Sequence, residues 1–186
     1  VKDLNDKKID VLVTAPINKE TIQSSNFSFM GHTDYLNENI EGSSVMMMVS
    51  KSLRVALLTE HVSLSKVTGL ITKELVESRT KSIHKTLQLD FNIHEPKIAM
   101  LSVNPHAGDN GVIGNIDKAV LAPCISFMKK KGMHVDGPFP ADSFFGSMKH
   151  KEFDVVVASY HDQGLIPFKT LSFGKGVNFT SGLKHV

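Results

Sequence analysis

The chain alternates continuous apolar runs with longer stretches in which apolar residues recur at helical spacing. Continuous apolar runs that end at turn-forming residues are typical of strands buried on both faces of a sheet. The runs predict strands at 11–15, 45–50, 54–60, 97–103 and 153–159, followed by an extended piece at 176–182. Because only residues 51–53 separate the second run from the third, we expect a tight connection between those two strands.

Helices are predicted between most of these runs. Apolar residues near the 3.6-residue period indicate helices at 18–25, from Ser65 to Leu87, near 116–130 and from Ser143. The segment 160–169, YHDQGLIPFK, is interpreted as a polar loop after a strand. Alternating strands and helices favour an α/β fold in three layers, αβα, with a mixed or parallel sheet between the helices. The strand order remains open.

Three histidines each follow an apolar run that predicts a strand: His61 after RVALL, His106 after KIAMLSV and His161 after FDVVVA. In open α/β sheets the carboxyl ends of the strands carry the chemistry. Three neutral imidazoles with exchangeable water form the ligand set of a catalytic divalent metal. Asp109, Asp142 and Asp162 are the carboxylates expected to lie nearby and to orient such ligands.

Each of these histidines also has a simpler interpretation. A single histidine at a strand end is more often a hydrogen-bonded structural residue, and His61 is also compatible with a helix cap or a core position. The remaining histidines, including His84, His94, His134, His150 and His185, lie in polar helical or loop contexts and need no special role. The repetition of the pattern at three strand ends is what favours a shared metal.

Two further loops carry polar residues. In FMGHTDYL, His32 and Thr33 lie at a predicted helix start, where Thr33 or Asp34 could cap the helix and free N–H groups could receive an anion. On spacing alone His32 is better interpreted as a surface residue. The loop NPHAGDNGVIG is rich in glycine but matches neither a dinucleotide fingerprint nor a P-loop.

Composition narrows the class of protein. The chain has 186 residues, and its 21 basic and 19 acidic side chains give a formal net charge of +2, which does not favour binding to nucleic acid. The basic run at 129–131 precedes Gly132 and is interpreted as a helix end. A single cysteine, Cys124, excludes an internal disulfide and is expected to be a buried thiol. With no apolar stretch of membrane-spanning length and no signal peptide, we expect a cytoplasmic protein without a membrane partner.

Both ends of the chain suggest a longer parent protein. The sequence opens on the polar segment VKDLNDKKID and stops at GLKHV, and neither reads as a finished terminus. We therefore expect residues 1–186 to be the central part of a larger protein, with further segments on both sides.

Five strings in order, GHTDYL, VNPHAGDNG, GPFPADSFF, YHDQGLIPFK and FGKGVNFTSGL, resemble the 4-hydroxythreonine-4-phosphate dehydrogenases of pyridoxal phosphate biosynthesis. The similarity runs from VLVTAPINK almost to the last residue. The resemblance implies a two-domain fold like that of isocitrate and isopropylmalate dehydrogenases. It also implies a homodimer with the active site near the subunit interface, so that one chain need not hold the whole metal shell.

The resemblance also implies roles for individual residues. The metal ligands would be His61, His106 and His161. The substrate contacts would be His32, Thr33, Lys169 and Asn178. The catalytic groups would be Asp142, Asp162 and Lys169, with Lys169 either a phosphate contact or a proton-transfer group; the contact is simpler because an ordinary lysine is a poor base at neutral pH. Cofactor-binding residues cannot be named.

The implied reaction is oxidation of 4-phosphohydroxy-L-threonine at its 3-hydroxyl, followed by decarboxylation to 3-amino-2-oxopropyl phosphate. The implied cofactors are NAD or NADP and one divalent metal, which could be zinc, magnesium, cobalt or manganese. An alternative is a sister dehydrogenase acting on a phosphorylated four-carbon sugar acid such as D-threonate 4-phosphate. A further alternative is a catalytically silent or metal-storing protein, which is what a chain with an incomplete active site would be.

Overall fold

A computed structural model describes residues 1–18, 21–22, 29 and 31–184, with the backbone alone at residue 34. Six strands form one sheet. In chain order they are β1 (Gly42–Val49), β2 (Arg54–Leu57), β3 (Lys97–Leu101), β4 (His134–Phe139), β5 (Val155–Ala158) and β6 (Val177–Leu183). Among the described residues, no helix is long and apolar enough to cross a membrane.

The sheet is mixed, as predicted, and its spatial order is β4-β3-β5-β2-β1-β6. Strands β4, β3, β5 and β2 run parallel to one another. Strand β1 is antiparallel to both of its neighbours, β2 and β6. The short connection at 51–53 joins β1 to β2, as the sequence predicted. The carboxyl ends of β3, β5 and β2 therefore lie side by side along one edge.

Helices cover both faces of this sheet. The helices are α1 (Lys2–Asn5), α2 (His32–Asn39), α3 (Leu64–Leu70), α4 (Lys73–Leu89), α5 (Ala122–Lys130), α6 (Ala141–Gly146) and α7 (His161–Ser172). A short π-helical turn (Asp117–Leu121) leads into α5. Apolar side chains of α3, α4 and α5 pack on one face of the sheet, and those of α6 and α7 pack on the other. The architecture is thus the expected three-layer αβα sandwich.

The predicted strand at 11–15 does not form. These residues lie outside the sheet, with Val11 56% and Val13 87% exposed. β-branched residues favour an extended backbone, but a strand also needs a neighbour to accept its hydrogen bonds, and the described sheet offers none here. The predicted helix at 18–25 falls mostly on residues outside the described part of the chain.

The long helix predicted from Ser65 to Leu87 is two helices. Helix α3 ends at Leu70, and α4 begins after Thr72, whose hydroxyl accepts a hydrogen bond from the backbone N–H of Leu75. Apolar periodicity continues across the break because both helices pack on the same face of the sheet. The apolar pattern therefore predicted the buried face correctly, but it did not show that a new helix begins after Thr72.

Strand β4 and helix α7 escaped the sequence prediction, as did the short helix α1. Strand β4 buries only Val135 completely, so it shows no apolar run. The polar segment at 160–169 is not a loop but most of α7, which includes Pro167. Gly164 allows this helix to lie close to the sheet, since a Cβ there would be 2.7 Å from Val55 and 3.0 Å from Ala158.

Candidate active site

Strands β2 and β5 are parallel neighbours, and the segments that leave their carboxyl ends carry His61 and His161. The strand ladder continues one step beyond β2 through a bond of 2.9 Å from the Leu58 N–H to the Ala158 carbonyl. The buried Thr59 hydroxyl then donates to the Ser159 carbonyl at 2.8 Å. These bonds hold the two segments together, and the rings of His61 and His161 lie 5.3 Å apart between centroids.

The His161 ring is oriented by the next residue. Its Nδ1 lies 2.7 Å from Oδ1 of Asp162, and both residues belong to the first turn of α7. An ionised carboxylate accepts hydrogen bonds only, so Nδ1 carries a proton, and in the neutral ring Nε2 presents a lone pair. A neutral imidazole held in this way is prepared to bind a metal.

Gln163 joins the ends of β5 and β3. Its Oε1 accepts from the Ser159 N–H at 2.7 Å, and its Nε2 donates to the Ser102 carbonyl at 2.6 Å. The amide therefore satisfies one backbone group from each strand end and fixes the start of α7. The sequence drew attention to His161 and Asp162 but gave Gln163 no role.

Glu60, which precedes His61, forms a half-buried ion pair with Arg79 of α4. The guanidinium Nη1 lies 2.8 Å from Glu60 Oε1 and also donates to the Ser44 carbonyl at 2.9 Å. The same carboxylate oxygen accepts from the Met46 N–H at 3.2 Å. This network ties the segment that carries His61 to both β1 and α4.

His106 does not join the other two histidines. It is exposed in the β3 loop (residues 102–114), where a left-handed turn spans Pro105–Gly111. Among the described residues, no group of three His, Cys, Asp or Glu side chains is arranged to hold a metal ion. Within one chain His61 and His161 thus lie together, and His106 does not complete a group of three with them.

The remaining predicted residues, apart from Lys169, line two clefts. His32, Thr33 and Asn178 line a cleft of about 660 Å³ between α2, the segment 11–16 and β6. Asp142 and Asp162 line a second cleft, of about 450 Å³, whose walls include Asn104, Tyr160 and Ile166. Tyr160 and Asp162 also border a third cleft, which contains His61 and His161. The two aspartates are therefore neighbours of the histidine pair.

The cleft with Asn178 lies toward the other end of the strands. Asn178 is in register with Met48 of β1, and Met48 is in register with Val55 near the start of β2. His61 instead follows the carboxyl end of β2. Within one chain, the predicted substrate residues and the histidine pair are thus separated both along and across the sheet.

Lys169 is exposed in the last turn of α7. It lies eight residues after His161, or about 12 Å along the helix axis at 1.5 Å per residue. The helix therefore places this cation two turns away from the histidine pair.

Two other predictions concern residues outside the site. Cys124 is buried, and burial raises the pKa of its thiol, in keeping with the predicted structural role. His150 was expected in a polar context but is 5% exposed, packed beside the Phe145 ring. Burial, followed by the charge of Lys151, lowers the pKa of His150. His185 lies outside the described residues.

Comparison with known proteins identifies relatives over the whole chain. The family profile described as "Pyridoxal phosphate biosynthetic protein PdxA" matches residues 1–186. The 4-hydroxythreonine-4-phosphate dehydrogenase of Bacteroides thetaiotaomicron is 45% identical over 100% of this chain and 52% of its own length. That of Sulfurihydrogenibium sp. is 44% identical over 100% of this chain and 58% of its own length. The chain spans about half the length of the curated relatives it matches.

Solved structures agree with this assignment. A 4-hydroxythreonine-4-phosphate dehydrogenase from Klebsiella pneumoniae superposes with a TM-score of 0.89 at 34% identity, covering 99% of this chain and 56% of its own. A terephthalate 1,2-cis-dihydrodiol dehydrogenase from Burkholderia xenovorans, at 24% identity, shares the fold with a TM-score of 0.81 over 97% of this chain and 57% of its own. The fold is that of isocitrate and isopropylmalate dehydrogenases. On the profile match, the sequence identities and the superposition together, this chain belongs to the PdxA family of pyridoxal phosphate biosynthetic proteins.

Proposed function

We propose that the protein containing this chain oxidises 4-phosphohydroxy-L-threonine at its 3-hydroxyl with NAD or NADP and a divalent metal. The β-keto acid formed would lose carbon dioxide to give 3-amino-2-oxopropyl phosphate. The observation that carries the proposal is the His61–His161 pair at the carboxyl edge of the sheet, with Asp162 bonded to one ring. The relatives named as dehydrogenases of this substrate support it.

The spacing of the two rings fits a shared metal. Imidazoles bound to one tetrahedral ion through nitrogens about 2 Å from it have ring centroids about 5 Å apart. The centroids of His61 and His161 are 5.3 Å apart. A divalent ion held there would supply Lewis-acid stabilisation for negative charge at the substrate's hydroxyl oxygen. Zinc, cobalt and manganese suit imidazole ligands, and magnesium suits them less well.

His106 would complete the ligand set from a second copy of the chain. It is exposed on the β3 loop, and in its own chain it forms no three-ligand group with His61 and His161. The separation of Asn178 from the histidine pair supports the same arrangement, because one small substrate cannot easily span both places in a single chain. A homodimer with the active site near its interface accounts for both observations.

The substrate contacts would be His32, Thr33 and Asn178 in the larger cleft, with Lys169 as a cation for the phosphate. Thr33 offers a hydroxyl and Asn178 an amide, which can both donate to phosphate or carboxylate oxygens. Asp142 and Asp162 would serve the reacting end, since both line the cleft beside His161. An ionised aspartate there can accept the proton that leaves the hydroxyl, and Asp162 also orients the His161 ring.

A cytoplasmic location is part of this proposal. The cysteine of the chain is free and buried, which suits a reducing compartment. Small phosphorylated metabolites and nicotinamide cofactors are available there.

The decisive experiment follows reduced nicotinamide and carbon dioxide in the full-length protein with 4-phosphohydroxy-L-threonine. The assay is run with each nicotinamide, then with a chelator, and then after zinc, magnesium, cobalt or manganese is restored. Metal-dependent turnover with both products supports the proposal. Turnover with D-threonate 4-phosphate alone would replace the substrate by that of a sister dehydrogenase. Metal binding without turnover of either compound would contradict an enzymatic role and leave a metal-storing protein.

Matched histidine variants separate the metal site from general effects. His61→Ala should abolish metal-dependent turnover, whereas His134→Ala should not, because His134 lies at the amino end of β4. Equal activity in both variants would contradict the ligand assignment.

A further inference from the structure

Asp117 is a buried carboxylate with no role in the reaction proposed above. It begins the π-helical turn before α5 and is 1% exposed. Its Oδ1 accepts from the Val103 N–H at 2.6 Å. Its Oδ2 accepts from the backbone N–H of Asn104 at 3.1 Å and from Asn104 Nδ2 at 2.8 Å. All three donors belong to Val103 and Asn104, the two residues before the Pro105–His106 pair.

The β3 loop closes tightly against this carboxylate. A Cβ on Gly108 would lie 2.3 Å from the Gly114 carbonyl oxygen and 3.5 Å from Asp117 Oδ2. A Cβ on Gly114 would lie 2.7 Å from the Asn104 side-chain nitrogen. Gly108 and Gly114 thus allow the two halves of the loop to pack together beside the Asp117 and Asn104 side chains. A side chain at either glycine would push the two halves apart.

The turn that carries His106 does not follow the usual backbone preference. His106, Ala107, Asp109 and Asn110 have φ values of 52°, 51°, 43° and 54°. A left-handed conformation costs most residues that have a Cβ about 1 to 2 kcal/mol, although His, Asp and Asn adopt it more readily than Ala. The local backbone preference therefore opposes this turn most strongly at Ala107, and contacts at the base of the loop help to stabilise it.

We infer that Asp117 is the positioning residue for His106. Asp117 accepts hydrogen bonds from the backbone N–H groups of Val103 and Asn104 and so sets the direction in which the chain enters the left-handed turn. The direction of that turn then sets the direction of the His106 imidazole. It touches neither substrate nor metal and acts through the loop. The inference rests on the proposed function, because the position of His106 matters for activity only if His106 is a metal ligand.

The test measures metal affinity and stability separately in the full-length protein. Asp117→Asn replaces one carboxylate oxygen by an NH₂ group. In the wild type both oxygens accept N–H donors, from Val103 or from Asn104, so in either orientation of the amide at least one donor loses its acceptor. Asp154→Asn is the matched control, because Asp154 accepts a backbone N–H at the other end of β3, that of Lys97 at 2.8 Å. Zinc affinity is measured by competition with a chromophoric chelator, and Tm is measured on the metal-free protein.

Asp117→Asn should weaken zinc binding by about 10- to 100-fold, the range seen when a group that supports a metal ligand is lost. Asp154→Asn should bind zinc like the wild type even where its Tm falls equally. In the cobalt-loaded protein, the visible absorption of Asp117→Asn should change as one ligand is displaced. Wild-type zinc affinity and an unchanged cobalt spectrum would overturn the positioning role.

Two further variants keep the test decisive. If Asp117→Asn does not fold, Asp117→Glu keeps the negative charge but moves the carboxylate out by one methylene group, which displaces its bonds to the backbone N–H groups of Val103 and Asn104. This variant should still weaken zinc binding, and wild-type affinity would overturn the inference. His106→Ala distinguishes the ligand role of His106 from the positioning role of Asp117. Loss of zinc in His106→Ala with full binding in Asp117→Asn overturns the positioning role alone. Full binding in His106→Ala overturns the ligand assignment and the positioning role together.

Discussion

The Nδ1 atom of His161 lies 2.7 Å from Oδ1 of Asp162, and this bond determines which nitrogen of the ring is free. The two residues are adjacent in sequence, yet only the helical start of α7 brings their side chains together. His161 is thereby presented to the space beside His61 in the tautomer that binds metals through Nε2.

Replacing Asp162 should weaken the metal site without removing a ligand. In Asp162→Asn the carboxylate charge is lost, so the imidazole becomes less basic and its orientation less fixed. We expect the zinc affinity to fall by about tenfold. Asp136→Asn, which removes an exposed carboxylate paired with Lys129, serves as the control. Equal zinc affinity in the two variants would contradict the role of Asp162.

A shared active site predicts complementation between inactive variants. Mixing His61→Ala with His106→Ala subunits after unfolding and refolding forms hybrids in which one of the two sites has all its histidines. Random mixing should restore about a quarter of the wild-type specific activity. If each chain held a complete site, every subunit in the mixture would carry a defect and no activity would return.

The Glu60–Arg79 pair should matter more for stability than an exposed ion pair. The side chains of Glu60 and Arg79 are 18% and 20% exposed. Arg79→Met removes the guanidinium donor from the Glu60 carboxylate and leaves it the Met46 N–H. We expect the free energy of unfolding to fall by about 1 to 3 kcal/mol. Lys129→Met, which breaks an exposed pair with Asp136, should change it by less than about 0.5 kcal/mol. Urea unfolding of the metal-free proteins compares them, and equal losses would refute the difference.

His150 should make the fold sensitive to mild acid. Its pKa is lowered by burial and then by Lys151, so the unfolded chain takes up the proton more readily than the folded one. Stability should therefore be unaffected by this residue above its ordinary pKa of about 6.5 and should fall as the pH drops below that value.

The measurement is the urea midpoint between pH 7.5 and 5.5, with a chelator present to exclude metal binding. His150→Phe keeps an aromatic ring beside Phe145 and should flatten the pH dependence, whereas His94→Phe, at an exposed position, should not. Some dependence should remain from His84, whose pKa is also lowered by burial and by the charge of His134. A steep dependence in His150→Phe equal to that of the wild type would exclude His150 as the cause.

Sequence reasoning succeeded where burial dictates composition. The runs at 45–50, 54–60, 97–103 and 153–159 are buried strands because both of their faces lie under helices. It failed where composition reflects local preference alone. The run at 11–15 has strand-forming residues but no partner strand in the described part of the chain, and β4 is a strand with little buried surface.

In the candidate site, too, the sequence predicted some residues and missed others. Histidines after successive strands were visible in the sequence, and so were the aspartates near them. Gln163, Glu60 and Asp117 were not predicted, because each acts by bonding to backbone groups that are distant in the chain. The available signal was a polar residue at the end of a predicted strand, as Glu60 is.

The sequence by itself determined the three-layer class, the family and which residues follow the strand ends. The tertiary structure decided which of those ends are neighbours. His61 and His161 are 100 residues apart in the chain and meet because β2 pairs with β5, a choice made by packing between side chains. The tertiary structure also decided the left-handed turn that carries His106, since the base of this loop is bonded to a residue outside it, as in the bond between Val103 and Asp117.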